Sequence, residues 1–407
     1  MKVLVADAFE QSGLDGLQAA GCDVRYEPDL AGEALARVLA SSGAEVLVVR
    51  STRVTEAMLD APDLSLVVRA GAGVNTIDVA AAARRGIYVS NCPGRNAVAV
   101  AELAIGLLLA LDRRIPDNVA DLRAGRWNKQ EYAKARGLYG RALGLLGFGH
   151  IGQEVARRAR ALGMDVLVWS PRFLREGAAA LAALPRDLDV TILNSPEEVA
   201  GRCDALSVHL ALTAETENFV GAAILGRLKP GALVVNTARA ELVDEAALAE
   251  AVETGGVRAA VDVFRGEPAE AVAEFSPPLA ALPRVYGTHH IGASTEQAQE
   301  AIAAEAVRVI RAYKETGKVP NVVNLARRTP ATHTLVVRHR DRPGVLAHIF
   351  AELRTRNLNV QETENVIFDG AEAAVARINL DAEPAVELVE AIARGNPHIL
   401  SLHVVKI

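Results

Sequence analysis

The 407 residues are 50% hydrophobic, 23% charged and only 4% aromatic, a balance that excludes a disordered or collagen-like chain and leaves room for two or three globular domains. Lys and Arg number 44 against 50 Asp and Glu, so the net charge of −6 provides no general field for nucleic acid or an anionic membrane. The three cysteines, Cys22, Cys92 and Cys203, form no Cys-x-x-Cys pair, which fits a reducing compartment without disulfides and gives no metal-ligand spacing.

From the N-terminus, residues 2–6 read as a buried strand stopped by Asp7, too brief for a signal peptide. Runs at 45–49 and 66–68 follow, separated by Ala-rich stretches of helical period, and this β-α-β rhythm predicts a parallel sheet covered by helices. Residues 98–113 form a strongly apolar helix that contains Glu102 and falls short of a membrane span, so a cytoplasmic protein with no membrane partner is expected. The rhythm resumes at 143–146, 165–169, 205–209, 233–236 and 259–263, a second α/β unit, and 297–313 is another long helix.

Residues 318–332, with Pro320, Pro330 and Arg327-Arg328, read as a linker. Beyond it come a strand at 334–338, a helix at 344–356, strands at 365–368 and 373–380, a helix at 386–394 and a strand at 400–405, the β-α-β-β-α-β order of a ferredoxin-like module. The expected fold class is therefore α/β, with two Rossmann-like doubly wound parallel sheets and a small ferredoxin-like domain.

The strand at 143–146 runs into Gly147-Phe148-Gly149-His150-Ile151-Gly152 and then into a helical stretch. Strand, glycine turn and helix in this order suit a dinucleotide, because the glycines permit the turn and let the backbone approach a pyrophosphate. The next strand should end in an acid for the ribose of NAD, but it ends in Ser170, followed by Pro171 and Arg172. Arg172 can instead receive the 2′-phosphate of NADP, or be a solvated loop residue, so NAD and NADP both stay open at this point.

Asn236-Thr237-Ala238-Arg239, Val261-Asp262-Val263-Phe264 with Gly266-Glu267-Pro268, and Thr288-His289-His290-Ile291-Gly292 each follow an apolar run and should gather at the C-terminal edge of the second sheet. An arginine, a carboxylate and a histidine suffice for hydride chemistry on a 2-hydroxy acid. Arg239 can hold the substrate carboxylate and polarise the carbonyl, His290 can take the hydroxyl proton, and Glu267 can orient that histidine. Singly, each residue also has a plain reading as a surface or loop side chain.

Taken with the glycine loop, Asn75-Thr76-Ile77-Asp78, Val100-Ala101-Glu102, His209 within Ser207-Val208-His209-Leu210, and Leu228-Lys229-Pro230-Gly231-Ala232, these segments resemble the D-isomer-specific 2-hydroxyacid dehydrogenases. The resemblance implies Arg239, Glu267 and His290 as the catalytic set. It implies a cofactor contact set of Gly147, Gly149, His150, Ile151, Gly152, Ser170, Arg172, His209, Thr237, Ala238, Asp262 and His290. It also implies a discontinuous substrate domain, 1–97 and 291–325, around an NAD-binding domain, 98–290, with the active site between them. The base falls on His290 of the His289-His290 pair.

Arg50-Ser51-Thr52-Arg53 and Arg69, ahead of Gly71 and Gly73, are similar to segments with which the phosphoglycerate-oxidising branch of this family meets its substrate. Arg50, Ser51, Arg53, Arg69, Gly73 and Arg239 are thus the expected contacts of a small phosphorylated 2-hydroxy acid, a charge that arginine forks suit. Arg95 is expected on the cleft side, and Trp127-Asn128-Lys129 resembles a segment near the subunit interface of these enzymes, implying a homodimer or homotetramer. Asp341-Arg342-Pro343-Gly344 and Asn359-Val360 look like an ACT domain, 332–407, whose L-serine effector would meet His339, Asp341 and Asn359. Two rivals stand beside this reading: an NADPH-dependent glyoxylate or hydroxypyruvate reductase, favoured by Ser170 and Arg172, and a nucleotide-sensing regulator.

Overall fold

The computed structural model describes every residue except 178, 180, 181, 183, 186, 187, 269–271 and 327, so Arg327 of the expected linker lies outside the described residues. The chain divides into two compact units, Met1–Asn324 and Leu325–Ile407.

The first unit carries two parallel sheets. One is formed by β1 (Lys2–Val5), β2 (Asp23–Tyr26), β3 (Val46–Val49), β4 (Leu66–Arg69) and β5 (Tyr88–Asn91), in the order β2-β1-β3-β4-β5. Their residues alternate between two cores, as the two-residue period of a strand dictates. Val3, Val5, Val46, Val48, Leu66 and Val68 pack with Leu14 and Leu17 of helix Gln11–Ala19 and with Ile302, Ala306 and Ile310 of helix Glu296–Thr316. Leu4, Leu47, Val49, Val67 and Val89 pack on the other face with Leu35 and Leu39 of helix Gly32–Ser42. The chain therefore returns to this sheet after leaving it.

The second sheet comprises β6 (Ala142–Leu146), β7 (Asp165–Trp169), β8 (Thr191–Ile192), β9 (Ala205–Val208), β10 (Ala232–Asn236), β11 (Val257–Val261) and β12 (Val285–Gly287), ordered β12-β11-β10-β9-β6-β7-β8. Helices Ala97–Arg113 and His150–Ala161 cover the face of Leu143, Leu145, Val166 and Val168, while Leu146, Leu167, Leu206, Val208 and Val234 face Val199 and Leu248. Both sheets are doubly wound. The direction of strand succession reverses between β1 and β3 in the first and between β6 and β9 in the second, and at such points open α/β sheets leave a crevice at their carboxyl ends.

The predicted linker at 318–332 does not begin at 318. Val323 N–H donates to Val89 O at 2.9 Å, and the Asn324 amide both accepts from Val89 N–H at 3.0 Å and donates to Ile87 O at 2.7 Å. Residues up to Asn324 are stitched along the free edge of β5, whose backbone groups need partners.

The second unit holds β13 (His333–Arg340), β14 (Val360–Ile367), β15 (Ala373–Leu380) and β16 (Ile399–Lys406), an antiparallel sheet ordered β14-β15-β13-β16. Helices Val345–Thr355 and Val386–Gly395 cover one face through Val345, Ile349, Leu353, Leu388 and Ile392. This is the ferredoxin-like arrangement. Strand β14 starts five residues before the predicted 365, because an edge strand exposed over most of its length needs no apolar run. No described helix is long and apolar enough to cross a membrane.

Candidate active site

The glycine turn sits at the crevice between β6 and β9. Gly147 has φ +99°, and any side chain there would run into the backbone carbonyl of His209, which follows β9. A Cβ on Gly152 would come 2.5 Å from Gly147 O, whereas one on Gly149, at the start of helix His150–Ala161, would meet only open space. Two glycines thus close the turn and the third leaves room for a ligand to approach the helix. His150 is exposed, its ring beside Gly94, and Ile151 is half-buried in the same helix.

Several buried polar atoms around this crevice have no partner within the protein: His209 Nδ1, Thr237 Oγ1 and Trp169 Nε1. Such atoms are costly unless a bound group completes them. Burial alone pushes the His209 imidazole down to about 4, so it is neutral, with Nε2 2.8 Å from Ser207 Oγ. Ser170 caps helix Pro171–Glu176, accepting the Arg172 N–H at 3.4 Å, and the Arg172 side chain is turned onto Glu176.

The loops after β10, β11 and β12 converge, as their register implies. Asn236, 1% exposed, ties the first: its amide donates to Arg239 O at 2.9 Å and accepts from Ala238 N–H at 3.0 Å. Arg239 donates to Ala238 O at 2.6 Å and lies beside the backbone of Gly73. Burial lowers its pKa, with Glu241 and Glu267 near enough to oppose the shift. His290 Nδ1 lies 2.7 Å from Glu267 Oε2, and Glu267 Oε1 accepts the Phe264 N–H at 2.7 Å. Burial pushes the Glu267 carboxyl up, but the bonds from His290 and Phe264 outweigh it and hold it below the usual carboxylate range.

Asp262, expected as a cofactor contact, has its carboxylate engaged within the protein. It is 1% exposed, and its carboxylate accepts Thr288 O–H at 2.6 Å, Ile291 N–H at 2.9 Å and Gly292 N–H at 2.8 Å. Its backbone oxygen accepts His290 N–H at 2.8 Å, and His290 takes φ +52°, a left-handed conformation that few side chains adopt. Asp262 fixes the loop that presents His290.

On the first sheet, Asp7 follows β1 and accepts the backbone N–H groups of Arg50, Ser51 and Thr52 at 2.6, 3.1 and 3.0 Å. It shapes the loop after β3 at that sheet's own crevice, a role its place behind an apolar run hints at. Arg69 lies across Gly71, its Nε buried without a partner. Burial and the nearby cations Arg239 and Arg50 push its pKa down to about 10, with Cys92 and Asp7 opposing. Arg50, Arg69 and Arg239, drawn from both sheets, therefore form one cationic cluster, while Ser51 and Arg53 lie exposed on the adjoining loop. Arg95, expected at the cleft side, is bound to Glu305 at 2.6 Å.

In the second unit, His339 does not offer its ring to a ligand as expected of an effector contact. It is 1% exposed, with Nδ1 2.8 Å from Arg340 O and Nε2 3.1 Å from Asn365 Oδ1. Asn359 is exposed and its N–H donates to Asp381 at 3.0 Å, and Asp341 is half-buried, its N–H on Glu372 O at 3.0 Å.

Residues 105–292 match the family model described as D-isomer specific 2-hydroxyacid dehydrogenase, NAD binding domain. A D-3-phosphoglycerate dehydrogenase of Methanocaldococcus jannaschii is 34% identical over 400 residues, which cover 97% of this chain and 70% of that protein. A hydroxypyruvate reductase of Thermotoga maritima is 41% identical over 276 residues, 67% of this chain and 85% of that one. The crystal structure of an NAD+-bound 3-phosphoglycerate dehydrogenase from Entamoeba histolytica is 27% identical, with a TM-score of 0.64, covering 80% of this chain and 99% of that chain. This chain belongs to the D-isomer-specific 2-hydroxyacid dehydrogenase family.

Proposed function

We propose that the protein is a D-3-phosphoglycerate dehydrogenase, oxidising the C2 hydroxyl of 3-phosphoglycerate to 3-phosphohydroxypyruvate with NAD as the first step of L-serine synthesis. The observation that carries this reading is the cluster of Arg50, Arg69 and Arg239, which suits a substrate bearing both a carboxylate and a phosphate.

The glycine turn and the unpartnered His209, Thr237 and Trp169 atoms fit a dinucleotide, which supplies the hydride acceptor when bound. The turn closed by Gly147 and Gly152 would take its pyrophosphate where Gly149 leaves open space at the helix start. Arg239 holds the substrate carboxylate and polarises the C2 oxygen. His290 accepts the hydroxyl proton at its free Nε2, since Nδ1 is engaged by Glu267, and Glu267 stabilises the cation that forms. Arg50 and Arg69 take the phosphate.

In this reading 1–97 and 291–325 form the substrate domain, 98–290 the cofactor domain, and 332–407 an ACT regulatory domain with L-serine as effector. The protein acts in the cytoplasm, where its three unpaired, buried cysteines stay reduced. Helix Ile115–Arg123 buries none of its residues and exposes Ile115, Val119 and Leu122, with Trp127 80% exposed just beyond, a face suited to a second copy in a homodimer or homotetramer.

The test is formation of reduced nicotinamide from D-3-phosphoglycerate with NAD, repeated with L-serine. Turnover that serine inhibits supports the enzyme and its regulation. The 41% identity to the Thermotoga enzyme favours a second reading, hydroxypyruvate reduction, which fast reduction of hydroxypyruvate without phosphoglycerate oxidation would establish instead.

A further inference from the structure

Arg239, Glu267 and His290 are held in place by separate devices. Asn236 ties the turn of Arg239, and Asp262 ties the loop of His290, both through buried side chains. Glu267 stands differently, as an exposed residue on a turn that leaves the core after Val263. Its Oε1 accepts the Phe264 N–H and Gly266 takes φ +70°, so residues 264–267 form one closed turn. The Phe264 ring holds one side of it, lying against Gly287 and edge-on to Phe275 with ring centres 6.1 Å apart. Arg265 holds the other. Its N–H donates to Glu245 Oε1 at 3.1 Å, at the start of helix Glu245–Glu253, and its guanidinium donates to Asn218 Oδ1 at 2.6 Å and, more weakly, to Glu241 O at 3.4 Å. Asn218 lies on the loop after β9 with φ +52°, its own N–H on Glu241 O at 2.7 Å.

We infer that Arg265 is a positioning residue for the proposed reaction: by bonding to Asn218 it holds the turn of Glu267 where the carboxylate engages His290 Nδ1. Without that bond the turn is free to pivot about Phe264, and Glu267 moves away from a histidine that Asp262 keeps in place. Arg239 stays with Asn236, and the Asn218 N–H still holds the Glu241 carbonyl. The loss therefore falls on the chemical step, in which His290 takes the hydroxyl proton, and spares the binding of substrate and coenzyme. A misplacement of about 1 Å in such a constellation costs up to roughly a hundredfold in rate.

This inference rests on the dehydrogenase reading above, and the experiment separates the two. Single-turnover change in reduced nicotinamide is followed by stopped flow in the full-length wild type, R265A, N218G and R265A/N218G, with whichever of 3-phosphoglycerate and hydroxypyruvate the wild type turns over. Steady-state KM, the calorimetric Kd of the coenzyme and a thermal melt accompany it. Glycine tolerates the left-handed backbone at 218 while removing the acceptor, so N218G breaks the same bond from its other end. R265A and N218G should each slow the single turnover about tenfold, with KM and Kd within about twofold of the wild type, and the double variant should be no slower than R265A. An unchanged single turnover in R265A, a loss that appears as a raised KM or Kd, a slowing that N218G does not share, or losses that multiply in the double variant overturns the role of Arg265 and leaves the dehydrogenase reading intact. A wild type that neither reduces nicotinamide with 3-phosphoglycerate nor oxidises it with hydroxypyruvate overturns that reading and this inference together.

Discussion

Gly73 and Arg239 are fitted to one another: the guanidinium of Arg239 occupies the space that any side chain at position 73 would take. One residue stands on the loop after β4 and the other on the turn after β10, so the contact joins the two sheets of the first unit at the proposed substrate site. The arginine's position is set by the absence of a side chain opposite it.

Gly73→Ala should therefore displace the Arg239 guanidinium without disturbing either core. The expected result is a fall of at least tenfold in kcat/KM for 3-phosphoglycerate, carried mainly by KM, because the carboxylate clamp loses its alignment. Steady-state kinetics beside a thermal melt checks this. Unchanged kinetics would show that Arg239 relaxes freely or does not hold the substrate.

Asp262→Asn keeps the size of a buried side chain but turns one acceptor into a donor facing the Ile291 or Gly292 N–H. A buried donor without an acceptor costs about 1–3 kcal/mol, and the left-handed His290 loses its anchor. We expect a lower midpoint of thermal unfolding together with a roughly hundredfold drop in kcat. Calorimetric NAD affinity within a few-fold of the wild type would mark Asp262 as a positioning residue, and loss of NAD binding would mark it as a cofactor contact.

Much of this site was legible because its signals are periodic or local. Apolar runs separated by helical stretches give both sheets, and the spacing of Gly147, Gly149 and Gly152 after β6 gives the cofactor turn. The direction in which a side chain points was harder to read. His339 shares the parity of Leu335 and Val337 on β13, so the two-residue period turns it into the core, a signal present in the sequence that motif matching overrides. Asp7, which organises Arg50 to Thr52, and Glu305, which takes Arg95, act on residues 43 or more positions away, and no local pattern reveals such pairing. Nor does the linker's composition show that Asn324 is hydrogen-bonded to β5.

Glu305 is 3% exposed in its side chain and receives Arg308 at 2.5 Å, Asn321 at 2.7 Å and Arg95 at 2.6 Å. The bonds from Arg308, Asn321 and Arg95 outweigh burial and hold its carboxyl at about 2, against an ordinary 4.5. A depressed carboxyl stabilises the native state above the unfolded-state value, so this contribution is whole at neutral pH and fades as the pH falls from about 4.5 to about 2. Glu305→Gln should cost about 1–3 kcal/mol at pH 7, since it removes the charge-assisted bonds from Arg95 and Arg308, whose side chains are themselves about half exposed. Urea unfolding at pH 7 and pH 3 should show the gap between wild type and variant narrowing at the lower pH, and a gap independent of pH would contradict the assignment.

His209 titrates in the opposite chemical sense but with the same direction of stability. Burial lowers its pKa from 6.5 to about 4, so the native state holds a neutral ring while the unfolded chain becomes protonated below 6.5. The proton favours unfolding: stability is whole above 6.5, declines as the pH falls toward 4, and has lost this contribution fully below that. His209→Asn removes the titrating group and should flatten that decline while lowering stability at neutral pH through the lost bond to Ser207 Oγ. Unfolding free energies at pH 7.5, 6 and 4.5 for both proteins decide the matter, because other groups titrate alike in the two chains and cancel in the difference. Parallel curves would mean that the His209 ring reaches water in the native state.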